Sequence, residues 1–283
     1  MVRHWRILVF FLVACFWWAQ VGAQGRTFEQ AVSLEPLGRL ALETGRGTVR
    51  LSSWDQSRVE IRARIETVPA ADVGETRRSV DGTTIEVRGR RRSIRIRSVY
   101  GAVPAHVHYE IRAPKEVDLD LTIDSSDTTV RGFEGRLFMQ LTRSDLEATD
   151  LTGSVVLNLD RGALRAVDLS GSVTLGLDRG RDVVLERLRG SIQLELDRTD
   201  ATLRGVQIVG ESLVAIDRGV LDLEFVQEQA VTIEAHIPDR SDLLNELPVI
   251  FRQNDRRLQG ALNGGGPLLR ITADRSTIQL STN

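Results

Sequence analysis

Residues 155–180 read VVLNLDRGALRAVDLSGSVTLGLDRG, and the tetrapeptide Leu-Asp-Arg-Gly occurs in them twice, eighteen residues apart. Aligning the chain on the residue before each such turn brings Ile123, Leu141, Leu159, Leu177, Leu196 and Ile216 into one column, at spacings of 18, 18, 18, 19 and 20 residues. Two and four positions upstream the pattern continues with Leu119/Leu121, Leu137/Met139, Val155/Leu157, Val173/Leu175 and Ile192/Leu194, weakening to Ser212/Val214. Strict alternation of this kind marks strands with one buried face. The intervening positions, Thr122, Gln140, Asn158, Gly176 and Glu195, are small or polar and belong to the outward face.

After each turn comes a second short apolar segment, such as Leu164 to Leu169 or Val183 to Leu188, closed by Gly135, Gly153, Gly171, Gly190 or Gly210. Each repeat therefore reads strand, turn, strand, turn. A two-strand unit cannot bury its apolar face alone, so neighbouring units must stack. The fold class expected is all-β: a β-solenoid, or parallel β-helix-like stack, of two-strand repeats over 115–283. Residues 24–114 also alternate, as in Val59 to Ile65 and Val107 to Arg112, but less periodically, and are read as a β-rich N-terminal cap layer of the same single domain, 24–283. Residues 66–82 are polar, with Pro69, Gly74 and Gly82, and read as an exposed connection. Ser241 to Gln259 is less regular, and one closing strand is expected over Leu268 to Leu280.

The first 23 residues read as a signal peptide: Arg3, His4 and Arg6 precede the apolar run Ile7 to Trp18, and Val21-Gly22-Ala23 offers a cleavage site. Leu12-Val13-Ala14-Cys15 is an alternative lipobox that would make Cys15 a lipid anchor, and membrane association is expected only through that lipid or an uncleaved leader. The expected location is periplasmic, cell-surface or secreted. Cys15 is the only cysteine, so a chain cleaved after Ala23 has no disulfide. Loss of Arg3 and Arg6 leaves 35 basic against 39 acidic side chains. That balance, without interleaved aromatics, speaks against a nucleic-acid partner. Lys115 is the only lysine, so arginine here reflects overall usage and says little by itself about a phosphate or carboxylate site.

Gly47-Thr48-Val49-Arg50-Leu51-Ser52-Ser53-Trp54-Asp55, then Val59-Glu60-Ile61, Val107 to Pro114, the repeat ladder and Gly264-Gly265-Gly266-Pro267 occur in an order that resembles the bacterial exported "putative adhesin" family, related to the head-GIN adhesin-like domain. The resemblance implies an all-β, repeat-built, exported protein of unknown biochemical function with no known catalytic residues. The Asp-Arg-Gly turns depart from the small, polar turns usual there.

The parity puts Asp160, Asp178, Asp197 and Asp217 outside, each followed by Arg161, Arg179, Arg198 or Arg218. Asp favours turns, and Gly162, Gly180 and Gly219 are expected to supply positive φ. Stacked carboxylates repel, and arginines pairing with the Asp above or below would offset this. The row reads as an edge-stabilising ladder, with a polar face for glycan or another envelope component as the functional alternative. A calcium array is disfavoured because each Asp arrives with a cation. A second candidate is the basic patch Arg88, Arg90, Arg91, Arg92, Arg95 and Arg97, read as a hairpin with Ile94 and Ile96 inward that protects a sheet edge or contacts anionic polymer or lipid head groups. His106 and His108 share a face, and His236 is the only further histidine that could complete a metal site. No catalytic, cofactor-binding or metal-binding set emerges. The expectation is a non-enzymatic envelope or surface scaffold that meets envelope polysaccharide or another envelope protein. The alternatives are an envelope-stress regulator and a polysaccharide-cleaving β-helix enzyme.

Overall fold

A computed structural model describes residues 25–67, 73–254 and 256–283. The expected leader and Cys15 lie outside these. The described residues form eighteen strands and one helix, in an all-β architecture. The chain passes alternately through two hydrogen-bonded ladders.

In the first ladder Gly38–Thr44 lies between Ser93–Arg97 and Val117–Ile123, parallel to both. Leu119 pairs with Leu137 and Leu137 with Val155, so successive partners are eighteen residues apart. The ladder continues through Leu194 and Val214 to Ile271. In the second ladder Gly47–Trp54 lies parallel to both His106–Pro114 and Ser126–Arg131, and the series later runs Val183, Ala201, Leu221, Ile278. Among the described residues, antiparallel pairing between strands is confined to the two ends: Gly25–Ser33 with Arg58–Glu66, and Arg58–Glu66 with His106–Pro114, at one; Val231–His236 with Arg257–Leu262, and Arg252–Asn254 with Arg257–Leu262, at the other.

Between the ladders the alternating aliphatic residues form the core. Leu121, Met139, Leu157, Leu175 and Leu194 are all buried, as are Leu146, Leu164, Leu185 and Leu203. Each fully buried Leu contributes roughly 1.5–3 kcal/mol, so these two columns are the main source of cohesion.

The strand Asp145–Asp197 counts 53 residues, but it is folded at left-handed corners rather than extended. Here the structure corrects the expectation about the turns. The residue with positive φ is the arginine, not the glycine: Arg143, Arg161, Arg179, Arg198, Arg218 and Arg275 have φ between 48° and 59°, as does Ser125 at 53°. A left-handed corner turns the chain while its N–H stays in the ladder, as in Arg143 N to Asp160 O at 2.7 Å and Arg198 N to Asp217 O at 2.8 Å. Gly162 is needed for room, because a Cβ there would stand 1.9 Å from Ser144 O. Where a hydroxyl replaces the glycine it closes the corner, as Thr199 Oγ1 does on Asp197 O at 2.9 Å.

Two further corrections concern boundaries. Val73–Gly82 is an α-helix inside the expected exposed connection, and its last carbonyls are met by Thr83, whose Oγ1 donates to Ser79 O at 2.9 Å. The single closing strand is two, Leu268–Asp274 and Thr277–Thr282, split at the left-handed corner Arg275. Leu268–Asp274 also stacks out of sequence order, between Ser212–Asp217 and Val231–His236.

Candidate functional site

A trough of about 1330 Å³ lies on the outer face of the first ladder. Nine strand passes floor it, from Arg97 and Glu43 at one end to Thr272 at the other, so at about 4.8 Å per strand it runs roughly 38 Å along the stack. Alternation dictates its lining. With Leu141, Leu159, Leu177 and Leu196 buried, Gln140, Asn158, Gly176 and Glu195 must face out, flanked by Thr142, Asp160, Asp178 and Asp197. The side chains of Thr122, Gln140 and Asn158 are exposed and make no hydrogen bond to any described residue. At the Arg97 end stands Tyr100, held by its hydroxyl, which accepts from Gly45 N at 2.9 Å and lies 3.2 Å from Thr44 Oγ1. Behind it Thr44, Ser98 and buried Tyr109 form a hydroxyl chain at 2.9 and 2.7 Å, and burial pushes the Tyr109 phenol up.

The Asp-Arg ladder forms one lip. Arg198 bridges Asp178 at 2.9 Å and its own Asp197 at 2.7 Å, and Arg218 bridges Asp197 at 3.0 Å and Asp217 at 2.7 Å. Arg179 joins Asp160 to Asp178 in the same way, and Arg275 joins Asp217 to Asp274. Below Asp160 the column holds Thr142, so Arg161 pairs with Asp160 alone and Arg143 reaches down and donates to both carboxylate oxygens of Asp124, at 2.8 and 2.7 Å. Hydrogen bonds from Arg161 hold the Asp160 carboxyl below the usual carboxylate range, and those from Arg218 do the same for Asp217. The eight residues singled out from the sequence, Asp160 to Arg218, are thus one continuous structure. Their carboxylates line the trough and their guanidiniums lie outside its lining. Asp239-Arg240 is not part of it: Asp239 pairs with Arg256 away from the ladder.

The sequence reading recognised the outward row Thr122, Gln140, Asn158, Gly176 and Glu195 only as the polar side of a strand. Its signal as a site was present: four successive repeats with a small or neutral polar residue, then Glu195, beside a charged column. Tyr100 carries no periodic signal, because it lies in the first, irregular half of the chain.

The arginine patch is where expected. Gly89 lies against Ser93 and Ile94, Arg91 has φ 39°, and Ile94 and Ile96 are fully buried beneath exposed Arg95 and Arg97. Arg88 pairs with Glu86, Arg92 with Glu35 and Arg97 with Glu43, while Arg90, Arg91 and Arg95 make no ion pair with described residues. His106 and His108 stand edge to face at 6.2 Å. Burial lowers the His108 pKa against the pull of Glu66, 3.4 Å away, and Thr48 Oγ1 lies 3.1 Å from its Nδ1. His236 lies at the other end, in register with Thr272, and among the described residues no three metal-ligating groups converge. No described helix is long and apolar enough to cross a membrane.

No protein-family model matches the chain, and no curated protein matches it. Three solved structures similar to it carry adhesin names, and a further one is named a putative lipid binding protein from Parabacteroides distasonis, 11% identical at a TM-score of 0.27. One is a putative cell adhesion protein from Clostridium sporogenes, 11% identical, with 91% of this chain and 100% of that one covered at a TM-score of 0.28. Another is a putative adhesin from Bacteroides fragilis, 8% identical, covering 91% and 97% at 0.33. A third is a putative adhesin from Parabacteroides merdae, 11% identical, covering 90% and 95% at 0.34.

Proposed function

We propose that this chain is a β-solenoid acting as a non-enzymatic, exported envelope or surface scaffold that binds an elongated partner along the trough. The observation that carries the reading is the uniformity of the trough wall. From Asp160 to Asp217 the carboxylates repeat coil after coil, each held by two guanidiniums. A hydrolytic or eliminating site needs unlike groups with separated proton affinities at one place. A repeated, charge-satisfied wall suits contacts that recur along a ligand. The solenoid reading rests on the parallel registers at eighteen-residue offsets, and the exported location on the leader pattern.

The test is site-directed photocrosslinking in the producing cell, with the probe at Asn158 in the trough or at Arg165 on the outer face of the second ladder. The expected result is an adduct from Asn158 and none from Arg165. Equal labelling at both, or none at Asn158, overturns the proposal. The mass of the mature amino terminus after cell fractionation tests export, and an intact cytoplasmic chain would refute it.

A further inference from the structure

The structure assigns the trough a ligand class: we infer that it takes a neutral, linear, β-linked polysaccharide, at about one sugar per coil. This deepens the proposed function and rests on it. Four observations lead there.

The first is charge. Along this lip Asp124, Asp160, Asp178, Asp197, Asp217 and Asp274 are matched by six arginines, four of which bridge neighbouring carboxylates, so the lip carries no net charge and Glu195 on the floor is the one lining carboxylate without an arginine among the described residues. An anionic polymer would meet the carboxylates first, because the guanidiniums lie outside the lining. A cationic one would compete with the guanidiniums for the same carboxylates. A neutral polyol meets neither cost, and the carboxylates keep lone pairs free to accept from hydroxyls.

The second is the floor. Exposed Thr122, Gln140 and Asn158 have donors and acceptors that no described residue uses. Amide and hydroxyl groups stacked in successive coils offer alternating donors and acceptors, which sugar hydroxyls match in kind.

The third is spacing. The row repeats at about 4.8 Å, nearer to the slightly longer advance of a β-1,4-linked pyranose chain than to that of an extended peptide, which at about 3.3 Å per residue drifts out of phase much sooner. The fourth is Tyr100 at the end of the trough, half-buried and fixed by its hydroxyl, which presents a rigid ring of the kind that packs against a sugar face.

Gly176 provides the handle for a test. It lies mid-trough, and a side chain there meets first the flexible end of Asn158, so it can be enlarged without touching the core. The full chain, wild type and Gly176→Trp, is titrated by calorimetry with cello-oligosaccharides and N-acetylated chito-oligosaccharides of about two to about nine sugars, the longest matching the strand passes that floor the trough. Oligogalacturonate serves as the acidic control and an extended polar peptide as the peptide control. The expected result is affinity that grows with length and then levels off. Raising NaCl to ~0.5 M should leave it nearly unchanged, and Gly176→Trp should weaken it by at least about tenfold. Gln140→Ala with Asn158→Ala should weaken it without adding bulk, and unchanged melting curves establish that both variants fold. If no neutral oligosaccharide binds, or binding ignores Gly176→Trp, the ligand assignment fails. If oligogalacturonate or the peptide binds and Gly176→Trp abolishes that binding, the assignment fails while the trough stands as the binding face. If neither variant affects any ligand found, both fail.

Discussion

Replacing Arg198 by glycine, asparagine or valine separates the two reasons it could occupy its corner. The side chain bridges Asp178 and Asp197 at 2.9 and 2.7 Å and is 44% exposed. Its backbone sits at φ 48° and sends its N–H to Asp217 O. Exposed ion pairs contribute about 0–1 kcal/mol each, so losing both removes at most about 2 kcal/mol and typically less. A non-glycine residue in the left-handed region carries about 1–2 kcal/mol of strain, which glycine relieves, against about 0.5–1 kcal/mol of extra chain entropy. Arg198→Gly is therefore expected within about 1 kcal/mol of wild type, and Arg198→Asn close to it, since Asn tolerates this region. Arg198→Val loses the same two ion pairs and adds a β-branched side chain where one is rarely found, another ~1–3 kcal/mol.

The assay is urea unfolding followed by far-ultraviolet circular dichroism, read as the shift in midpoint at constant slope, at low salt and at ~0.5 M NaCl. The order expected is wild type, glycine and asparagine together, with valine well below, and a gap between valine and glycine that salt does not close. If glycine and asparagine are as damaging as valine, and all three converge with wild type at high salt, the corner is held by its charges. The conformational account would then be wrong.

Other outcomes follow from the same geometry. Leu177→Ala, in a column between Leu159 and Leu196, should destabilise by about 2.7–5 kcal/mol, measured by the same unfolding curves. Gly171→Ala places a Cβ 2.1 Å from Gly153 O at φ +115° and should cost about 3 kcal/mol or more, whereas Gly264→Ala at φ +85° meets nothing within 4 Å and should cost about 1 kcal/mol. Arginine contacts depress the carboxyls of Asp118, Asp160, Asp168 and Asp217 from their ordinary value of 3.8. Their contribution is full above that value and lost as pH falls through the depressed ones. Melting temperature should hold from pH 7 to about pH 4.5 and drop below about pH 4, less so at high salt; a decline starting near pH 6 would point to the histidines instead.

The core columns were legible because burial leaves a period-2 trace that local context cannot hide: every Leu, Val or Ile aligned with Leu159 up to Ile216 is buried. The charge bridging was legible as well, since parity put like carboxylates in one column and arginine was the available neighbour. What stayed hidden depended on three-dimensional order. Leu268–Asp274 stacks on Ser212–Asp217 across more than fifty residues, and nothing in the spacing announces that return. The helix Val73–Gly82 is short and polar, so its pattern matches that of a loop.

The corner itself shows why residue type misled. Asp-Arg-Gly invites the assignment of positive φ to glycine, because glycine adopts it without strain. Yet the aligned corners read Asp-Ser-Ser at 124–126, Thr-Arg-Ser at 142–144, Asp-Arg-Gly at 160–162, Asp-Arg-Thr at 197–199 and Asp-Arg-Ser at 274–276. The third residue varies among glycine, serine and threonine, and threonine at positive φ would be a strained outlier. A position that accepts all three is therefore constrained in size, not in φ, and the left-handed residue must be the second. The same comparison bears on the trough. At the corner's first position threonine replaces aspartate once, and the ladder absorbs the gap by letting Arg143 reach Asp124. A wall built to present free carboxylates would be damaged by that replacement, whereas one built to stay neutral is not. The charge balance is thus the property the repeats keep, and it is the reason to expect a neutral ligand against them.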